Sequence, residues 1–288
     1  MKLKKSGYRR RWAAAAVLLV LLTPFCWWQN NGFVVTEYEY LLPPEQAGLD
    51  GVRIAQISDL HNKSFGGRLE KCLARVSPDL VVLTGDLVGR ESRDFSAALA
   101  LAQTAAALAP TCYTPGNHES SLVRSGGYPA LREGLEEAGV RVLENRTEAL
   151  ELGGGTLRVT GLLDPGFYNA DPETARELLA GQLAQLTQGE GLNVVLAHRP
   201  ELLETCARGG ADMVFSGHAH GGQVRLPLVG AMVAPGEGLF PKRTSGMHRM
   251  GETEMIISRG LGNSVIPLRL FNRPELVVVT LRAEGNGT

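Results

Sequence analysis

The 288-residue sequence has no surplus of either charge: 29 Lys and Arg stand against 30 Asp and Glu, a formal net charge of −1. Binding a nucleic-acid backbone calls for a concentrated cationic face, so this balance argues against a nucleic-acid partner. Thiols are scarce as well. The four cysteines, Cys26, Cys72, Cys112 and Cys206, show no CxxC pair and no zinc-finger spacing, which excludes a thiolate zinc module. Each lies among apolar neighbours and reads as a small core residue. There is no internal repeat and no low-complexity linker. With 44% hydrophobic and 20% charged residues, the chain fits one sizeable globular domain.

One apolar run differs from the rest. Lys2, Lys4, Lys5, Arg9, Arg10 and Arg11 precede an uncharged stretch from Trp12 to Trp28, closed by Trp27 and Trp28. A basic flank, an apolar run and an aromatic belt in that order predict an N-terminal membrane helix. At ~1.5 Å per residue the run falls short of the ~30 Å hydrocarbon core, and snorkelling flanks have to make up the difference. The expected arrangement is an uncleaved signal anchor in residues 1–31, spanning about 12–28. Its cationic flank stays cytoplasmic, and residues 32–288 form an extracytoplasmic domain at the cell membrane. Three alternatives stand beside it: a cleaved signal peptide, a twin-arginine signal read from the adjacent arginines, and a buried core helix.

From Gly32 onward, strand-like runs alternate with helix-like stretches, the pattern of an α/β protein. Strands are predicted at Val34–Tyr40, Val52–Ile57, Leu80–Thr84, Thr111–Thr114, Arg141–Leu143, Leu157–Gly161, Asn193–Ala197, Met213–Ser216, Glu254–Ser258 and Leu276–Leu281. Apolar residues at three- and four-residue spacing predict helices at Leu69–Val76, Phe95–Leu108, Ala130–Ala138, Pro172–Leu186 and Pro200–Cys206. The Gly- and Pro-rich segment from Val224 to Gly251 reads as a long loop.

The chemistry gathers where strands end. Asp59 and His61 follow the second predicted strand, Gly85-Asp86 the third and Gly116-Asn117-His118-Glu119 the fourth. Farther on, His198 closes one strand and Gly217-His218-Ala219-His220 follows another. In open α/β sheets, ligands bind in the crevice beyond the carboxyl ends of the strands. A lone histidine or a Gly-Asp turn at such an end is ordinary; five strand ends delivering metal-competent side chains are not explained as turn chemistry. Imidazole and carboxylate donors without thiolates suit Mn, Fe or Zn.

In these five blocks, DxH, GD, GNHE, a single His and GHxH, the sequence resembles the calcineurin-like metallophosphoesterases from about Val52 to Leu281. The residues Gly221-Gly222-Gln223, Arg259-Gly260-Leu261-Gly262 and Arg273-Pro274-Glu275 are similar to the membrane-associated bacterial branch of that family. The resemblance implies a four-layer αββα sandwich of two mixed sheets flanked by helices. It implies two divalent metal ions, one on Asp59, His61, Asp86 and His220, the other on Asp86, Asn117, His198 and His218. A bridging Asp86 has two oxygens to offer cations ~3.5–4 Å apart, which one imidazole nitrogen cannot match. His118 is expected to touch the substrate or protonate the leaving oxygen.

These expectations combine into a phosphodiester, phosphomonoester or pyrophosphate hydrolase using metal-activated hydroxide, with a phosphorylated small molecule or lipid as substrate. A catalytically silent scaffold would be expected to have lost ligands, and a one-metal hydrolase would leave several of these residues without work. For Glu119 two readings stand, one orienting His118 and one as a solvated loop carboxylate. Gln223 and Arg259 read as loop and surface polar groups or as substrate contacts, and His248 as an exposed loop histidine or a residue of the pocket mouth.

Overall fold

The structure, a computed structural model, describes residues 3–222, 224–226, 230–234, 238–263 and 268–284. After the N-terminal helix α1 (Leu3–Asn31) come β1 (Val34–Leu42), β2 (Arg53–Ile57), α2 (Arg68–Val76), β3 (Leu80–Thr84), α3 (Ser96–Leu108) and β4 (Thr111–Thr114). Next follow α4 (Asn117–Ser125), α5 (Tyr128–Glu137), β5 (Arg141–Val142), β6 (Arg146–Leu152), β7 (Gly155–Leu162), α6 (Pro172–Leu186), β8 (Leu192–Ala197), α7 (Leu203–Arg208) and β9 (Met213–Ser216). Four two-residue strands, β10 (Arg225–Leu226), β11 (Gly230–Ala231), β12 (Val233–Ala234) and β13 (Gly238–Leu239), lead to β14 (Gly246–Met250), β15 (Thr253–Ile257) and β16 (Glu275–Ala283).

Two six-stranded mixed sheets dominate, in the orders β1-β16-β2-β3-β4-β5 and β14-β15-β9-β8-β7-β6. Their layering follows from side-chain alternation. In β3, Leu80 and Val82 enter a core shared with Met213 and Phe215 of β9, whereas Val81 and Leu83 join Leu69 and Leu73 of α2 and Leu101 of α3. On the second sheet, Val195 and Val214 turn outward onto Leu179 and Leu183 of α6 and Cys206 of α7. One apolar cluster thus lies between the sheets and one lies under each helical layer, so the central strands are buried on both faces, as parallel strands covered by helices require. At the end where the parallel strands finish, Gln56 bridges the sheets, donating to Thr84 Oγ1 at 3.0 Å and to the Ser216 carbonyl at 2.8 Å.

Three departures from the sequence reading have local causes. The Val224–Gly251 segment is not all loop: β14 pairs antiparallel with β15, and His248 sits on it opposite Met255, half-buried, with Nε2 3.1 Å from the Ser245 carbonyl. Edge strand β6 is amphipathic and charged, and its pairing with β7 rather than its own composition makes it a strand. Helix α4 is short and polar, NHESSLVRS, with weak apolar periodicity. All four cysteines are free thiols; Cys112 and Cys206 are buried and Cys26 and Cys72 partly so.

Residues 12–28 are helical within α1, yet no helix among the described residues is long and apolar enough to cross a membrane. Thr23 and Pro24 interrupt the apolar run, and Pro costs the helix a backbone hydrogen bond. The end of α1 is tied to the domain. Asn30 accepts from the Arg269 amide at 2.8 Å and donates to its carbonyl at 3.2 Å. Lys63 Nζ donates to the Asn30 carbonyl and Arg68 to that of Asn31, cations at a helix C-terminus where the dipole favours them. Arg273 stacks 4.3 Å over the Trp28 ring.

Candidate metal centre

The loops after β2, β3, β4, β8 and β9 converge, and they do so at a backbone cost. Asp59, His61, Asp86, His218 and His220 all have φ between 48° and 65°, a left-handed conformation that costs a residue with a Cβ ~1–2 kcal/mol. Five such residues in one cleft keep their conformation only because the surroundings hold them there. Gly116 shows how tightly they do: a Cβ on it would lie 2.4 Å from Asp86 Oδ1 and 2.9 Å from His198 Cδ2.

Three groups of donor atoms result, each within a 4.8 Å span: Asp59, His61 and His220; His61, Asp86 and His118; and Asp86, His198 and His218. In the first, His61 Nε2 and His220 Nε2 face each other at 3.2 Å, with Asp59 Oδ1 3.9 and 3.3 Å from them. In the last, His198 Nε2 lies 3.4 Å from Asp86 Oδ2 and 3.1 Å from Asn117 Oδ1. Ligands ~2.1 Å from a cation stand ~3.0–3.4 Å apart at octahedral or tetrahedral angles. Most of these spacings fall in or near that range, close enough for one cation to take two nitrogens and an oxygen at once. The residues present therefore fit a metal pair.

Asp86 belongs to two of the three groups. Oδ1 accepts from the His118 amide at 2.8 Å. Oδ2 alone faces both sides, 3.9 Å from His61 Nε2, 3.7 Å from His118 Nε2 and 3.4 Å from His198 Nε2. The Asp86 side chain would therefore be the group shared by both donor sets.

Neighbouring groups fix the donors. His198 Nδ1 lies 2.7 Å from the Thr84 carbonyl, so Nδ1 carries a proton and Nε2 is free to act as donor in the neutral ring. Asp59 accepts from Ser58 Oγ at 2.6 Å and from the His218 amide at 3.1 Å. Burial, followed by the charge of His198, holds His218 well below the usual imidazole range, and burial with His61 does the same for His220. Burial lowers His61 to about 4 and raises Asp59 to about 6. For His198 burial acts downward, but the Asp86 carboxylate outweighs it and lifts the ring to about 10. A bare Asp86–His198 pair thus holds a proton where a cation would take its place.

His118 is the more open residue, its side chain 19% exposed against 7% for His61. Glu119 is neither solvated nor aimed at His118. It is fully buried and accepts from the amides of Asp86 at 2.9 Å, Leu87 at 2.8 Å and Gly116 at 2.8 Å. It clamps the β3 and β4 loops, and its place at the third residue of α4 behind Gly116 is the capping signal that the sequence carried. Arg259 is engaged by buried Glu275, its Nη2 2.6 Å from Oε2, and is not a free substrate contact. Gln223 lies outside the described residues. Arg269, which nothing in the sequence singled out, is buried and donates to the carbonyls of Gly262 and Arg259 at 2.6 and 2.8 Å, with Nη2 3.4 Å from His220 Nδ1.

A family model described as calcineurin-like phosphoesterase matches residues 52–222, more than half of the chain and the span that carries every one of these donors. The chain belongs to the calcineurin-like phosphoesterase family. It is a metal-dependent phosphoric ester hydrolase, and the family and the donor clusters together indicate a dinuclear divalent centre. Among its relatives, the phosphodiesterase YaeI of Escherichia coli is 32% identical over 71% of this chain and 70% of its own. The uncharacterized metallophosphoesterase YkuE of Bacillus subtilis is 28% identical over 82% of this chain and 81% of its own. A transmembrane protein with metallophosphoesterase domain from Danio rerio is 30% identical over 81% of this chain and 54% of its own.

Proposed function

We propose that this calcineurin-like phosphoesterase cuts a phosphodiester, phosphomonoester or pyrophosphate bond. Asp59, His61, Asp86 and His220 would hold one divalent cation, and Asp86, Asn117, His198 and His218 the second. The observation that carries this reading is Asp86 Oδ2, which faces donors of both clusters from a single buried position. When bound, such a pair supplies Lewis-acid chemistry, lowering the pKa of water towards ~7 and offsetting charge on a phosphoryl group. Donors of nitrogen and oxygen only are consistent with Mn, Fe or Zn.

The remaining work belongs to the chain. Asp59 and Asp86 are the only carboxylates among the seven donors, so a loaded cleft is cationic and draws in a phosphate. His118 stands at the cleft's opening with Nε2 3.7 Å from Asp86 Oδ2. Burial lowers its pKa, so it is a neutral imidazole near pH 7, able to donate an N–H to the phosphoryl or leaving oxygen. Glu119 and the His118 amide hold Asp86 in place while charge shifts around it.

The name of the Escherichia coli relative favours a diester substrate. We further propose that α1 brings the domain to the cell membrane, with the domain extracytoplasmic and lipid-linked or envelope phosphates within reach. Support comes from the exposed Trp12, Val17, Leu19, Val20, Leu21 and Trp27, from the basic flank, and from the Danio rerio relative's description. The test is reconstitution of the purified full chain with Mn, Fe or Zn, followed by assay on a chromogenic diester, a monoester and a lipid pyrophosphate. We expect close to two metals per chain and turnover of at least one substrate. A stoichiometry near one, or no turnover with any metal, would refute the reading.

A further inference from the structure

Beside the metal centre the protein wall becomes cationic. Arg199 directly follows His198 at the end of β8. Its Nε and Nη2 donate to Asp164 Oδ2 and Oδ1 at 2.6 and 3.2 Å. Asp164 is itself fully buried and accepts from the Gly166 amide at 2.8 Å, so the guanidinium is fixed rather than mobile. Together with Arg124 and Arg176 it lines a cavity of about 340 Å³. Arg124 stands on α4, seven residues on from Asn117, which puts it ~10 Å along the helix from the metal centre.

A second cavity adjoins the first through Arg176 and Glu201. Arg176 also lines a second space of about 480 Å³, whose wall carries Lys242 and Arg243. Glu201 is, among the described residues, the sole carboxylate on either wall. Among the described residues, Arg124, Arg176, Lys242 and Arg243 enter no ion pair. An adjoining groove, which shares Arg176 and Glu201, is acidic instead, with Asp171, Glu173, Glu177 and Glu204 on its wall beside Arg208. In a molecule with net charge −1, four cations without an ion pair and the Asp164-held Arg199 around two adjoining cavities, beside the strand end that carries His198, are a local concentration of the kind that recognises phosphate.

We propose that this hollow is a second anion subsite, which holds a phosphate of the substrate remote from the ester being cut. The inference rests on the phosphoesterase reading and narrows it to substrates with two phosphate-like groups on one scaffold. Arg199 supplies the fixed end, next to the reacting phosphate, while Arg124 and Arg176 supply the adjustable side chains around the distant one.

Two substrates that differ only in the remote group test it: thymidine 5′-(p-nitrophenyl phosphate) and the same compound carrying a 3′-phosphate. The metal-loaded full chain should favour the 3′-phosphorylated compound in kcat/KM by about tenfold or more, chiefly through KM, as charged hydrogen bonds would give. In R124A/R176A, and more sharply in R124E/R176E, that ratio should collapse towards one. Both sites lie on the surface, and thermal unfolding of the variants monitors their folding. Equal kcat/KM for the two compounds in the unaltered protein, or a ratio that survives both double variants, overturns the subsite and leaves the phosphoesterase reading standing. Failure of the unaltered, metal-loaded protein to cut either compound would instead count against the phosphoesterase reading on which the subsite depends.

Discussion

The aspartate and the histidine that meet across 3.7 Å at the heart of the cleft should respond differently to removal. Asp86→Ala takes away the one oxygen that faces both donor clusters, so metal content should fall together with activity. His118→Ala leaves Asp59, His61, Asp86, Asn117, His198, His218 and His220 intact. We expect it to keep both metals and lose turnover by ~10²–10⁴-fold. Loss of metal from His118→Ala, measured by elemental analysis, would instead make His118 a ligand, as its grouping with His61 and Asp86 also permits. The proton shared by Asp86 and His198 gives a second test. His198 is raised from its ordinary 6.5 to about 10 in the metal-free protein. A raised histidine contributes stability that is fully present below pH 6.5 and is lost as pH rises through 10. Chelator-stripped protein should therefore lose thermal stability between pH 6.5 and 10, whereas metal affinity should rise over the same window because the cation displaces that proton. Calorimetry in buffers of different ionisation enthalpy should register about one proton released from His198 on loading at pH 8. Loading without proton release would show that the pair is not protonated as the geometry demands.

Between residue and molecule, the strand-end loops determine whether the donors meet. Gly116→Ala adds one methyl group and removes no ligand, yet it would drive a Cβ to 2.4 Å from Asp86 Oδ1. We expect it to lose metal binding nearly as thoroughly as Asp86→Ala while the circular dichroism of the sheets is retained; full metal content in Gly116→Ala would mean that the loops are looser than their contacts imply. This dependence of chemistry on strand ends explains what the sequence disclosed. The strands β3, β4 and β9 were legible to the residue because strands buried on both faces are short runs of apolar and β-branched or aromatic residues that stop at Gly or Pro. The donors were legible for the same reason, since each sits one to four residues beyond such a run. Strands β6 and β14 were hidden, because edge strands with one exposed face owe their conformation to a neighbour's hydrogen bonds. The clamp by Glu119 and the Arg269 contact with His220 were hidden too: both link residues distant in sequence, 33 apart for Glu119 and Asp86 and 49 for Arg269 and His220. Helix α4 had a legible start, Gly116 with Glu119 three residues on, but too little apolar periodicity to be read as a helix.

For the whole molecule, α1 supplies the physical constraint on where the domain sits. Its end is anchored by Asn30 on Arg269 and by Lys63, Arg68 and Arg273, while Trp12, Leu19, Val20 and Leu21 are each more than 60% exposed. Apolar surface of that kind on an isolated helix marks a partner or a lipid phase. The run between the two tryptophan ends is short for a full span, so the arginines and lysines before Trp12 must reach the interface. If they do, the metal centre lies close to the headgroups, because Arg269 touches Asn30 on one side and His220 on the other. Protease added outside intact cells should then release a fragment that contains residues 32–288, and the residues before it should stay with the membrane after alkaline extraction. Protection of the whole chain in intact cells, with cleavage only after lysis, would put the domain on the cytoplasmic side. Release of the uncleaved chain by carbonate would make α1 a surface helix rather than an anchor, and its exposed face would then have to be covered by protein.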